Sequence, residues 1–261
     1  MNGISALLAE RSVGEMRLRF GSGGVVDYRE SGASKLRIPR GSDEAILINT
    51  SGGMAGGDKI EISLAVEKNA RLALSGQASE RVYRSLGPPA EISCRFEVAK
   101  NAALHWLPQE TILFEGSHFT RSIEAQLAVG SELLIVESFV LGRAAMGEVI
   151  AHSEITDNWN IHCDGKLIHA ERFKLGPSLP RGPAGIAGAQ VFATILLISP
   201  DIEARVPAIT AAIAEIGAVS CWNGKLVARL AAEDGLKLKK ALARAIAAAT
   251  GGKGVPRVWA L

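Results

Sequence analysis

Apolar and polar residues alternate in three segments of the chain that can be laid over one another. The segments read IEISLAVEKNARLAL from Ile60, EISCRFEVAKNAALHW from Glu91 and SIEAQLAVGSELLIV from Ser122. In this alignment Val66, Val98 and Val129 are equivalent, at spacings of 32 and 31 residues. Apolar side chains at every second position are typical of a strand with one buried face. Each segment is therefore predicted to begin with such a strand.

A turn and a second apolar strand follow each of these strands. The turn contains Lys-Asn in the first two segments and Gly-Ser in the third, and these residues favour tight turns. Repeats of this kind bury their apolar faces against their neighbours. We therefore predict stacked, solenoid-like β repeats over about residues 58–175. A further hairpin is predicted at 160–172, because Asp164-Gly165 is a preferred two-residue turn.

The last third of the chain has a different pattern. QVFATILLIS is predicted to be a buried strand, and VPAITAAIAEIG a helix that starts near Pro207 and stops at Gly217. A hairpin on Asn223-Gly224 and a helix ending at Gly251-Gly252 complete a strand, helix, hairpin and helix over about 190–252. No low-complexity linker interrupts the chain. The prediction is one mostly β (α+β) domain over 1–261, with two stacked sheets and two helices near the C-terminus.

Composition and charge narrow the class of protein. Hydrophobic residues make up 48% and charged residues 21% of the chain, as in ordinary globular proteins. The net charge of +2 comes from scattered lysines and arginines, which argues against binding to nucleic acid or to an anionic membrane.

The location of the protein can be predicted from three features. The apolar run VFATILLI is far shorter than the roughly 20 residues that cross a bilayer. The N-terminal segment lacks the basic, apolar and cleavage regions of a signal peptide. Cys94, Cys163 and Cys221 are an odd number without a Cys-x-x-Cys pair, which suits a reducing compartment. We expect a cytoplasmic protein.

The stretch TSGGMAGGDK at 50–59 has some of the features of a phosphate-binding loop. Gly52 and Gly57 have the right spacing, but Asp58 stands where a lysine is required, and Ile60 begins a strand instead of a helix. A glycine-rich chain reversal with positive φ angles is the better prediction. Asp58 then has two open roles, because it could bond the turn amides or face a cavity.

Five carboxylates lie in stretches that are otherwise apolar or glycine-rich: Asp58, Glu80, Glu110, Glu137 and Glu148. Two facing carboxylates can hydrolyse a glycosidic bond, so one hypothesis is a β-solenoid carbohydrate-active enzyme. The chain contains no Gly-x-Ser-x-Gly, His-Glu-x-x-His or Cys-x-x-Cys motif. This favours a binding or scaffold protein that is not an enzyme.

Two histidines flank the predicted Asp164-Gly165 turn. A two-residue hairpin would place His162 opposite Leu167 and His169 opposite Asn160, with both imidazoles on one face. No third ligand follows at a recognisable spacing, so surface histidines are favoured over a metal site.

Five unusual stretches then occur in a specific order along the chain. They are SGGMAGGD at 51–58, QASERVYRS at 77–85, LPQETILFEG at 107–116, ESFVLGRAAMGE at 137–148 and PRVW at 256–259. Together they resemble the urease accessory protein family UreD, called UreH in some bacteria, over nearly the whole length. Ser75-Gly76 replaces a pair that is Thr-Thr in many relatives.

This resemblance implies a scaffold in nickel insertion. Proteins of this kind bind apo-urease and carry UreF, which recruits the GTPase UreG, and a dimer of such complexes is an expectation. The resemblance further implies that nickel in transit passes through a water-filled internal tunnel and that no cofactor is tightly bound. The implied fold has strands stacked in a helical manner and two helices, in agreement with the repeats.

A cation in transit should meet a few weak oxygen ligands, since a closed site would trap it. The candidates within the matched stretches are Asp58, Ser79, Glu80, Gln109, Glu110, Glu137 and Glu148. Arg81, Arg84 and Arg143 are the expected ion-pair partners, and in the alternative interpretation these acids only hold strands together. The loop at 176–189 is a plausible contact segment for partners.

Overall fold

The computed structural model describes residues 11–143, 147–148, 150–176, 188–252 and 255–260. Two stacked sheets form most of the fold. The first sheet contains, in spatial order, β14 (Lys166–Leu175), β13 (Glu154–Cys163), β11 (His118–Leu127), β8 (Ala90–Val98), β5 (Lys59–Val66), β1 (Val13–Gly21) and β2 (Gly24–Gly32). The second contains β16 (Gly217–Trp222), β17 (Lys225–Ala232), β15 (Val191–Ile198), β12 (Glu132–Leu141), β9 (Ala103–Leu107), β6 (Arg71–Gly76), β4 (Glu44–Asn49) and β3 (Ser34–Arg37). The short β7 (Glu80–Val82) and β10 (Thr111–Leu113) pair with each other and reach the second sheet through β12.

Each predicted repeat contributes one strand to each sheet. β5, β8 and β11 are parallel neighbours in the first sheet, and β6, β9 and β12 are parallel neighbours in the second. The side chains that alternate inward from both sheets share one apolar core. This confirms the mostly β, solenoid-like arrangement with two sheets, because successive repeats cover one another's apolar faces.

The register of the third repeat differs from the sequence alignment. Val66 lies opposite Val98, as predicted, but Val98 lies opposite Leu127 instead of Val129. Val129 is 62% exposed in the turn after β11. The alignment was wrong because an apolar residue in this turn extends the alternating pattern two positions beyond the end of the strand.

Three strands before the repeats, β1, β2 and β3, were not predicted. β1 lies parallel to β5, and its buried residues Met16, Leu18 and Phe20 continue the inward alternation of the repeats. β2 pairs antiparallel with β1 and forms the edge of the first sheet.

The C-terminal third contains the predicted strand, helix, hairpin and helix. Helix α1 spans Ile202–Ile213 and α2 spans Gly235–Ala249, and the hairpin turns at Asn223-Gly224 with positive φ at both residues. The predicted start of α1 at Pro207 was wrong, since the helix begins five residues earlier. Pro207 is tolerated because the carbonyl it leaves unbonded, at Glu203, lies on the exposed side of the helix.

The histidine hairpin turns at Asp164-Gly165 as predicted, but its register shifts. His162 pairs with Leu167, whereas an irregularity places His169 opposite Ile161 instead of Asn160. His169 is therefore buried on the inward face with Ile161, and His162 lies on the other face. The prediction that both imidazoles share a face was wrong.

A second apolar cluster lies between the second sheet and the two helices and includes the C-terminal Trp259. Within the described residues, no helix has the length and apolar character needed to cross a membrane. Most of the predicted contact loop at 176–189 lies outside those residues.

Candidate functional site

A cavity of about 180 Å³ lies between the two sheets. It extends from the exposed residues Gly52, Gln77 and Ala78 down to the buried side chains of Trp106 and Glu137. Polar side chains from several strands and loops line it: Ser34, Asn49, Ser79, Glu80, Gln109, Thr111, Arg121 and Glu137. The cavity is therefore a polar passage from the surface into an otherwise apolar core.

Four of the seven candidates from the sequence line this cavity. They are Ser79, Glu80, Gln109 and Glu137. The other three, Asp58, Glu110 and Glu148, do not line it.

Glu137 belongs to a buried cluster that joins the two sheets. Its partner is Arg121 on β11, which also pairs with Asp157 on the neighbouring β13. The indole Nε1 of Trp106 donates to Glu137 Oε1 at 2.6 Å, and Nε1 of Trp159 donates to Asp157 Oδ1 at 2.7 Å. The three charged side chains are each at most 2% exposed. Every carboxylate oxygen of the cluster accepts a hydrogen bond, as buried charges require.

The charges in this cluster do not balance, because one guanidinium faces two carboxylates. Burial raises the pKa of Glu137 and outweighs the opposing effects of Arg121 and of the Trp106 hydrogen bond. The negative charge of Glu137 is therefore stabilised less by its partners in the core than it would be by water. An additional cation at the cavity floor would be stabilised there by the same charge.

Glu132 is a buried carboxylate with the opposite balance. It accepts from His105 at 2.6 Å, from Arg205 at 2.7 Å and from Arg71 at 3.3 Å. Burial would raise the pKa of Glu132, but the contacts with His105 and Arg205 outweigh it and lower the pKa. Glu132 thus pairs with Arg71 of β6 and Arg205 of α1 where β12 begins, and these contacts link α1 to the second sheet.

Glu80 stands nearer the mouth of the cavity, at the start of β7. Asn49 Nδ2 donates to both of its carboxylate oxygens at 3.1 Å. Burial raises the pKa of Glu80, and the hydrogen bond from Asn49 opposes this only in part. Glu80 and Glu137 are thus two incompletely compensated acids that line one cavity.

Neutral oxygen and amide groups complete the polar wall. Gln109 Nε2 donates to the carbonyl of Val258 at 3.2 Å, which leaves its side-chain oxygen for other partners. Ser34 Oγ is fully buried at the cavity and has no hydrogen-bond partner among the described residues. Groups of this kind can bind water or a weakly held ion.

Asp58 holds the glycine-rich turn. Its Oδ1 accepts from the amide of Ser12 at 2.8 Å, and its Oδ2 accepts from the amide of Ala55 at 2.7 Å. The predicted chain reversal is confirmed, with positive φ at Gly52, Gly53 and Gly57. At Gly53 a Cβ would lie 2.6 Å from the Tyr83 ring, so only glycine fits there.

Replacing Asp58 with alanine is expected to lower the free energy of unfolding by about 1–3 kcal/mol, because two amides lose their acceptor. Chemical denaturation of the purified chain measures this. Asp27→Ala is the matched control, since Asp27 is exposed on β2 and its loss should cost less than about 0.5 kcal/mol. Equal effects of the two substitutions would show that Asp58 does not stabilise the turn.

The two remaining candidates have other partners. Glu110 Oε1 accepts from Ser79 Oγ at 2.7 Å. Glu148 pairs with Arg143 at 2.9 Å, the one predicted ion pair that the structure confirms. For Glu137 the partner is Arg121, which was not predicted, and not Arg81 or Arg84.

The described residues contain no group of three or more His, Cys, Asp or Glu side chains arranged to hold a metal ion. The acids of the cavity instead occur singly, each with its own hydrogen-bond partners.

The chain is similar to known proteins over nearly its whole length. The family described as UreD urease accessory protein matches residues 12–260. The chain is 38% identical to urease accessory protein UreD 1 of Brucella ovis over 100% of this chain and 98% of that protein. It is 42% identical to urease accessory protein UreD of Agrobacterium fabrum over 89% of this chain and 84% of that protein. The relative from Mesorhizobium japonicum, also named urease accessory protein UreD, is 38% identical over 99% of this chain and 97% of its own length. The chain therefore belongs to the UreD family of urease accessory proteins.

Proposed function

We propose that this protein is a scaffold for urease maturation that passes nickel to apo-urease through its internal cavity. It acts in the cytoplasm, binds the urease structural subunits directly and carries UreF, through which the GTPase UreG delivers nickel. Two such heterocomplexes assemble as a dimer. Family membership supports the maturation role, and the partners follow from the resemblance to UreD proteins.

One observation carries the nickel path: two carboxylates with raised pKa values, Glu80 and Glu137, line a single cavity that reaches the surface. Nickel prefers oxygen and nitrogen ligands when it must be released again. Glu80, Glu137, Ser79 and Gln109 supply a few such ligands that do not form a closed site. Each carboxylate oxygen keeps a second lone pair for a passing cation.

The same geometry disfavours the rival function, a carbohydrate-active enzyme with a carboxylate pair. Glycoside hydrolysis needs one carboxylate free to act as nucleophile or base. Glu137 is not free in this sense, because it pairs with Arg121 and both of its oxygens accept hydrogen bonds from cluster members. A carboxylate held by these contacts is a weak nucleophile. It is also a weak ligand, which is what a cation in transit requires.

A bacterial host that carries the urease genes but lacks this chain tests the proposal. We expect such cells to make urease protein with background nickel content, because no scaffold joins urease to the nickel-delivering GTPase. Restoring the chain should restore nickel and allow a tagged copy to recover urease and UreF. Normal nickel content in urease from cells without the chain would refute the maturation role.

A further inference from the structure

The strand β2 forms an open edge of the first sheet. It pairs with β1 on one side, and no other described strand pairs with it. The side chains from Val25 to Arg29 are all exposed. Three of them are large and apolar: Val25 is 41% exposed, Val26 52% and Tyr28 54%. An exposed edge strand with apolar side chains is a template for pairing with a strand of another molecule.

The backbone groups of Tyr28 point away from β1. The amide of Ala33 donates to the carbonyl of Val13 at 3.0 Å, which shows where the hydrogen-bonded positions of this antiparallel pair lie. Such positions alternate along a strand with positions whose N–H and C=O groups face the other way. The register is regular back to Asp27. The N–H and C=O groups of Tyr28 and Glu30 therefore face the open edge.

The neighbouring edge of the second sheet is blocked by side chains. β3 ends that sheet. Glu30 Oε2 accepts from the amide of Leu36 in β3 at 2.6 Å, and Arg37 Nη1 donates to the carbonyl of Leu36 at 2.7 Å. No side chain among the described residues binds the backbone of Tyr28 in this way. At this end of the molecule β2 is thus the edge that remains free to pair.

The sequence of β2 is complementary to itself when two copies run antiparallel. A pairing centred on Tyr28 places Asp27 of each copy opposite Arg29 of the other, so that two ion pairs form on the outer face. Side chains lie closest at such non-hydrogen-bonded positions. Within one copy Asp27 has no ion-pair partner among the described residues, and Arg29 lies 4.0 Å from Glu15. Both ions are therefore available to a second copy.

This register is preferred over its nearest alternatives. Facing residues must lie on the same side of the sheet, so the pairing can shift only by two positions. The two shifted registers would centre on Asp27 or on Arg29 and place like charges against each other. The register centred on Tyr28 instead brings the two tyrosines together on the inner face, where each borders an open cleft.

We propose that two copies of this chain associate through antiparallel pairing of their β2 strands, centred on Tyr28, so that the first sheet continues from one copy into the other. Identical strands that meet across a twofold axis form a closed dimer. An irregularity between Arg19 and Phe20 of β1 disturbs β2 next to Val26, so the contact is short and the association reversible. This goes beyond the proposed function, because it requires neither nickel nor another protein.

Charge reversal tests both the contact and its register. Asp27→Arg sets two pairs of arginines against each other, and Arg29→Asp sets two pairs of aspartates, so each single variant should remain monomeric where the wild type dimerises. The double variant Asp27→Arg/Arg29→Asp restores opposite charges and should dimerise again. An equimolar mixture of the two single variants should also dimerise. Sedimentation velocity of the purified chain over a range of concentrations measures the mass.

Glu97→Arg is the matched control, because Glu97 is exposed on β8, which has a strand on each side. It makes the same change of charge as Asp27→Arg and should leave the dimer unchanged. Co-expression of two differently tagged copies in a host without urease genes gives a second readout, in which one tag should recover the other copy.

Three results would overturn the proposal. They are a wild-type chain that is monomeric at every concentration and recovers no second copy, single variants that dimerise like the wild type, and single variants whose loss is not recovered in the double variant or in the mixture. Because urease, UreF and UreG are absent from the experiment, none of these results would affect the proposed role in urease maturation.

Discussion

Replacing Arg121 with methionine is expected to lower the free energy of unfolding by about 3–5 kcal/mol, because removal of one partner leaves buried charges uncompensated. Glu137 and Asp157 would face each other across the core without the guanidinium that joins them. The guanidinium carbon also lies 5.0 Å from the centre of the Phe139 ring, a contact that methionine replaces only in part. Denaturant unfolding of the purified chain measures the loss.

Two further variants test the reason for this loss. Arg19→Met removes an exposed pair with Glu67 at 2.6 Å and should cost less than about 1 kcal/mol. Combining Arg121→Met with Glu137→Gln and Asp157→Asn should recover most of the lost stability, since no uncompensated charge remains buried. If the triple variant is no more stable than Arg121→Met, lost packing and not charge is the cause.

Much of the fold follows from alternation in the sequence. The strands of the repeats were predictable because their inward residues, such as Ile62, Leu64 and Phe96, are nearly all apolar. The C-terminal hairpin was predictable because Asn223-Gly224 adopts the positive φ angles that such a turn needs. The alternating pattern does not show where a strand ends if the turn that follows also contains an apolar residue. For this reason Val129 was aligned with Val98.

The candidate site was less predictable, because its contacts join distant parts of the chain. Asp58 accepts from Ser12, which lies 46 residues away, and no local pattern indicates that bond. Arg121 was missed, although the sequence contains a signal for it. It occupies an inward position of β11 between Phe119 and Ile123, and a charge at such a position must find a buried partner.

Asp157 gives the same signal on β13, between Ile155 and Trp159. Two opposite charges at inward-facing positions of neighbouring strands indicate an ion pair within the first sheet. The third member, Glu137, is on the other sheet. Strand periodicity shows which face a residue occupies but not which residue of the opposite sheet it meets.

Glu80→Gln/Glu137→Gln is expected to lower the nickel content of urease about tenfold or more, by analogy with the loss of groups that support a metal. Both substitutions keep the shape of the side chain and an oxygen that can accept from Asn49 or Trp106. Loss of the charge at Glu137 also relieves the excess of carboxylate over guanidinium, so the fold should be retained. What disappears is the negative charge that attracts a cation into the cavity.

Glu148→Gln is the matched control, because Glu148 has the same side chain but pairs with Arg143 and does not line the cavity. The decisive measurement is the number of nickel ions per urease active site after co-expression with wild type, with Glu80→Gln/Glu137→Gln or with Glu148→Gln, with each complex recovered intact. We predict full loading with wild type and Glu148→Gln, and near-background loading with the double variant. Full loading with the double variant would contradict a nickel path through this cavity.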